Sequence, residues 1–142
     1  MQEKLGIIGT GAIACGLAAT AAAHDEVLLY ARSPESAAKA RRSVEKICAR
    51  LEDSDPRHVE IVEDFGALAD RTAIIEAVVE EHHAKAAVLK EAIAAAGDDA
   101  LFGTTTSSLS VTRLADELGV AERFVGLHVF NPVPRMKLVE LA

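Results

Sequence analysis

The sequence has no tryptophan, one tyrosine and four phenylalanines, so aromatic rings cannot fill a core for a chain of 142 residues. Aliphatic side chains and alanine must do so, which suits close packing of helices on a sheet. Cysteine is just as scarce. Cys15 and Cys48 are too few for a disulfide framework or a thiolate metal cluster, and both fall in stretches of helical character where they read as small buried or half-buried residues. Long apolar runs are missing too: the stretch 12–23 is alanine-rich and shorter than the roughly 20 residues a membrane span needs. Met1-Gln2-Glu3-Lys4 leads directly into a short apolar run without the three-part layout of a secretory signal. A cytoplasmic protein with no membrane partner is therefore expected. Basic charge is in deficit, with fifteen Lys and Arg against twenty-two Asp and Glu, a net charge of -7. That balance opposes a grip on the phosphate backbone of nucleic acid.

What is present is an alternation. The length suits one domain, residues 1–142. Residues 4–8 form a short apolar run ending in glycine, and 12–23 are helix formers without proline. A second strand-length run, 27–30, precedes Ser33-Pro34-Glu35, a capping residue and a proline where a helix would start. That helix is expected to reach about Leu51, followed by a loop at 52–57. Further strands are expected at 58–62, 72–79, 101–104 and 123–127, with helical stretches at 64–69, 82–95 and 110–118. Such alternation predicts an α/β fold: parallel strands joined by helical crossovers, an open doubly wound sheet covered on both faces.

The first turn carries the chemistry. Gly9-Thr10-Gly11-Ala12-Ile13-Ala14 fits G-x-G-x-x-A between a strand and a helix. Gly9 permits the tight turn, Gly11 lets backbone amides approach a pyrophosphate, and Ala14 allows the helix to pack closely on the strand. A helix starting near Gly11 offers free amides and a positive dipole end to phosphate. The second strand ends about 20 residues on, where such sites place their ribose contact. Here the residue is Ala31, followed by Arg32 and Ser33. A carboxylate at this point would select NAD by bonding the ribose hydroxyls, whereas Arg32 can pair with a ribose phosphate and Ser33 can add a hydrogen bond. NADP is expected to be favoured over NAD.

Four segments in order carry a family resemblance: the glycine turn, Glu76-Ala77-Val78-Val79-Glu80, Thr106-Ser107-Ser108-Leu109, and the run from His128 through Asn131-Pro132 and Met136 to Glu140. Together they resemble the N-terminal, Rossmann-type NAD(P)-binding domain of the 3-hydroxyacyl-CoA dehydrogenases, and they cover essentially the whole chain. The resemblance implies reversible oxidation of a 3-hydroxyacyl thioester to the 3-oxoacyl thioester. It implies His128 as the base for the hydroxyl proton and Glu140 as the carboxylate that orients it. Ser107 would bond near the substrate oxygen and the nicotinamide, and Asn131 would help fix the nicotinamide end. Glu80 and Lys85 match positions that contact the cofactor. His24, His58, His82 and His83 have no such support and are assigned to surface or loop positions, and no metal site is expected.

Three departures from the family qualify these expectations. The sequence stops at Ala142, without the family's helical C-terminal domain, which supplies a catalytic asparagine, covers the acyl cleft and forms the homodimer. Little or no turnover is expected from these residues alone. The connection between the long helix and the strand near Ile61 is short where the family has a helical hairpin that holds coenzyme A, so an acyl carrier protein is an alternative thioester carrier. Ala31 replaces the expected acidic residue. Other readings are a nucleotide-binding module without turnover and another beta-hydroxyacid dehydrogenase on the same fold.

Overall fold

The computed structural model describes residues 3–134 and the strand 139–141, the side chains of 139 and 140 excepted. The elements run β1 (Leu5–Ile8), α1 (Ala12–Ala21), β2 (Val27–Tyr30), α2 (Pro34–Cys48), β3 (Val59–Val62), β4 (Ala73–Glu76), α3 (His82–Ala95), β5 (Leu101–Thr104), α4 (Val111–Leu118), β6 (Phe124–Val129) and β7 (Val139–Leu141). The sheet order is β3-β2-β1-β4-β5-β6-β7, parallel except for β7, which runs antiparallel to β6. The chain thus winds outward from β1 in both directions, as the alternation of strands and helices predicts.

Side chains alternate across the sheet with period two. Ile7 and Leu29 enter a core shared with Ala14, Ala18 and Ala19 of α1 and Val44 of α2. Their neighbours Ile8 and Leu28 enter a second core with Leu89 and Ala92 of α3 and Phe102 of β5. The alanines of α1 bring its backbone close to the strands, so the scarcity of aromatic residues is matched by close helix approach. Cys15 and Cys48 are both buried free thiols inside the first of these cores.

Local boundaries differ from the expected ones for identifiable reasons. β4 stops at Glu76 rather than residue 79: the Ala77 amide still bonds Ile8 in β1, but the Val78 amide turns to the Glu76 carboxylate at 2.9 Å. α2 ends at Cys48, three residues early, and a 3-10 turn, Pro56–His58, takes up the end of the expected loop and the first residue of the expected strand, so β3 starts at Val59. Residues expected as a helix around 64–69 form only a 3-10 turn, Phe65–Leu68, whose Asp64 cap accepts from the Gly66 amide. β6 runs to Val129 because β7 pairs with its free edge, which places His128 inside the strand instead of after it. No helix among the described residues is long and apolar enough to cross a membrane.

Candidate functional site

A cavity of about 700 Å³ opens at the carboxyl ends of the strands around β1, where the crossovers diverge to opposite faces. Its floor is the glycine turn, Gly9 to Ile13. Gly9 sits at φ +132°, and a Cβ there would stand 2.5 Å from the Ala77 carbonyl oxygen. A Cβ at Gly11 would meet nothing within 4 Å, so its absence widens the cavity rather than relieving a clash. Ala14 does not line the cavity; it is buried beneath the turn, 3.3 Å from the same imagined Cβ at Gly9. The amides that open α1 receive no side-chain cap, whereas Ser33, Glu81 and Ser110 cap α2, α3 and α4. Uncapped amides at a helix start, facing a cavity, suit a phosphate.

At the β2 end the wall is formed by Tyr30, Arg32, Ser36 and Lys39, with no carboxylate among them. Tyr30 is stacked on Phe65 at 4.0 Å between ring centroids. Ser33 does not line the cavity: its hydroxyl accepts from the Ser36 amide and donates to the Ser36 hydroxyl, starting α2. Ser36 and Lys39 escape a reading of the sequence that stops at the strand end. Their spacing of three, in the first turns of the following helix, is the signal that puts them on one face. Lys39 also acts on Cys15, whose thiol burial pushes up while the ammonium charge opposes it.

The opposite wall comes from the segments after β4 and β5. Glu76 and Thr104, register partners at the ends of these strands, are wholly buried, and Lys85 is 1 % exposed. The Lys85 ammonium donates to Glu76 Oε2 at 2.6 Å and to the Val78 carbonyl at 3.2 Å, and lies 3.4 Å from Glu80 Oε1. Glu80 Oε1 accepts from the Thr106 hydroxyl, and Oε2 accepts from the amides and hydroxyls of both Ser107 and Ser108. Burial opposes ionisation of Glu80. The Ser107 amide, the Thr106 hydroxyl, the Ser108 amide and the Ser107 hydroxyl outweigh it and hold the carboxyl at about 2. Glu80, Lys85 and Ser107 all line the cavity.

His128 and Asn131 do not line it. His128 is half-buried in β6, its ring 4.7 Å from that of Phe130, and its register partner in β7 is Glu140. Asn131 is exposed in the turn that follows. Met136, Leu138 and the Glu140 side chain lie outside the described residues. The other histidines are placed apart from the cavity: His24, His58 and His83 are exposed, and His82 pairs with Glu117 across α3 and α4. Among the described residues no group of three His, Cys, Asp or Glu side chains could hold a metal ion.

A model of the family described as "3-hydroxyacyl-CoA dehydrogenase, NAD binding domain" matches residues 4–142. The chain belongs to the 3-hydroxyacyl-CoA dehydrogenase family. It is 34 % identical, over 98 % of its length, to a 3-hydroxyadipyl-CoA dehydrogenase of Escherichia coli K12, of which it covers 32 %. It is 33 % identical over 97 % of its length to a 3-hydroxybutyryl-CoA dehydrogenase of Clostridioides difficile, of which it covers 53 %. The crystal structure of an (S)-3-hydroxybutyryl-CoA dehydrogenase from Ralstonia eutropha superposes with a TM-score of 0.91 at 30 % identity, covering 99 % of this chain and 54 % of that one. The chain thus spans from a third to about half the length of these relatives. As a member of this family it is an NAD-binding domain, and the residues present fit a dinucleotide: uncapped amides and an open glycine for the pyrophosphate, and polar walls on either side.

Proposed function

We propose that this domain serves a reversible 3-hydroxyacyl-thioester dehydrogenase, holding the dinucleotide beside the reacting carbon. The observation that carries this reading is one cavity at the carboxyl ends of the strands, with uncapped helix amides on its floor and Glu80 and Ser107 on its far wall. The glycine turn, Glu80 and Lys85 would hold the dinucleotide, whose nicotinamide would supply a hydride acceptor for the hydroxyl-bearing carbon. His128 takes the hydroxyl proton as the carbonyl forms, and returns it in the reverse direction. Glu140 orients the imidazole and stabilises its charged form, a role supported by the β6·β7 register. Positions directly opposite in an antiparallel pair have Cβ atoms only about 4.5–5.5 Å apart. Ser107 bonds the substrate oxygen, and Asn131 helps fix the nicotinamide end.

NADP is favoured over NAD: the residue after β2 is Ala31, and Arg32, Ser36 and Lys39 put two cations and a hydroxyl at that end of the cavity. The thioester is carried by coenzyme A or by an acyl carrier protein. The latter is supported by the short connection after α2, which is tied back to the domain by Ser54 on the Ala19 carbonyl and by Arg41 on the Pro56 and Val59 carbonyls. Assaying 3-hydroxyacyl-CoA oxidation with each dinucleotide tests the activity. Tight dinucleotide binding in a full-length protein that turns over no 3-hydroxyacyl thioester would favour a binding module instead.

A further inference from the structure

Glu76 is the largest piece of buried chemistry that this reading leaves without a task. It does not line the cavity, yet it is 0 % exposed and its carboxylate accepts from Lys85, the Val78 amide and Thr104. From it a closed circuit can be followed. Glu76 holds Lys85; Lys85 lies against Glu80; Glu80 accepts from the Thr106 hydroxyl; the Thr106 amide donates to the Thr104 hydroxyl at 3.3 Å; and Thr104 returns to Glu76. The circuit links β4, α3, β5 and the segments after both strands. The oxygen of Glu80 that it leaves over is the one that receives four hydrogen bonds from Ser107 and Ser108.

We propose that Glu76 is a positioning residue for the nicotinamide half of the site, acting through Lys85 and Thr104 to set where Glu80 and Ser107 stand. The inference rests on the proposed dinucleotide reading. Two physical points support it. Buried polar groups linked in a fully satisfied network hold one geometry, because each broken link strands a polar group away from water. No buried side-chain polar atom among the described residues lacks a partner, so the circuit has no slack. The Lys85 ammonium has three donors, with Glu76, the Val78 carbonyl and Glu80 as its three partners. Removing the Glu76 charge leaves Glu80 as the only anion beside Lys85 among the described residues, and pulls its carboxylate away from the serines.

The test uses two substitutions outside the cavity, Glu76→Gln and Thr104→Val, in the full-length protein, with three measurements: thermal unfolding, the dissociation constant of NAD as the whole dinucleotide, and that of ADP, which is NAD without its nicotinamide half. Glu76→Gln should weaken the dinucleotide by about tenfold and Thr104→Val by about threefold, with ADP affinity within about twofold of the parent. Simple loss of stability would weaken ADP and dinucleotide alike. Should Glu76→Gln fail to fold, Thr104→Val decides, since it is close to isosteric and keeps the ion pair. Unchanged dinucleotide affinity in the folded variants, or equal losses for both ligands, overturns the inference. A parent protein that binds ADP but gains nothing from the nicotinamide half would instead overturn the reading on which it rests.

Discussion

The carboxylate of Glu80 accepts both the amide of Ser107, at 2.8 Å, and its hydroxyl, at 3.1 Å, across 27 residues of chain. The segments after β4 and β5 are therefore joined by a charge and its donors rather than by apolar burial. An ionised acceptor strengthens each of these bonds. Protonation would weaken them together.

A pH dependence follows. The Glu80 carboxyl is held at about 2, below the roughly 4.3 of an unfolded chain. Its contribution is present in full above about pH 4.3 and is lost as the pH falls toward 2. Amide exchange protection at Ser107 and Ser108 should be constant from neutral pH to about 5 and decline between about 4 and 2, after correction for intrinsic rates. In Glu80→Gln that decline should vanish. If the wild-type protection does not change across this window, the carboxylate is not what holds the segment.

The two glycines of the first turn should separate stability from binding. Gly9→Ala places a methyl 2.5 Å from a backbone oxygen at a positive φ, and should cost at least about 2 kcal/mol in urea unfolding. Gly11→Ala meets no protein atom at φ -82°, so stability should change by less than about 1 kcal/mol. Its methyl instead intrudes where phosphate would approach, and dinucleotide affinity should drop by about tenfold or more. Equal effects on unfolding from both substitutions would contradict this division.

Cofactor choice is tested at Arg32. Arg32→Ala should weaken NADP by at least about tenfold while changing NAD little, and Lys39→Ala should act in the same direction with smaller size. Raising salt should erode the NADP preference, because both cations are exposed and screened. Tighter binding of NAD than NADP by the unmodified protein would show that Arg32 is only a solvated charge at the start of α2.

For the chemical step, His128→Gln should lower turnover by about 100-fold or more with dinucleotide affinity nearly unchanged. Glu140→Gln should also lower turnover, and the double variant should lose less than the product of the two effects, because the pair works as a unit. Steady-state rates and direct cofactor titration measure both quantities.

The sequence by itself determined the alternation of strands and helices, the glycine turn, the absence of an acid at residue 31 and the order of the family's motifs. These are local: period-two and helical patterning, capping residues and short spacings are written into neighbouring positions. Strand ends were less legible, because β4 ends where the Glu76 carboxylate takes the Val78 amide, and nothing in the order of residues says that this carboxylate will be buried. β7 and the extension of β6 through His128 depend on an edge pairing across a turn. Tertiary structure alone decided that Ser36 and Lys39 share a wall with Arg32, that Ser33, the expected cap of α2, does not also line the cavity, and that Glu76, Lys85, Glu80, Thr106 and Thr104 form one circuit. Such contacts join residues up to 28 apart, and their strength comes from burial, which only the packed sheet and its helices provide.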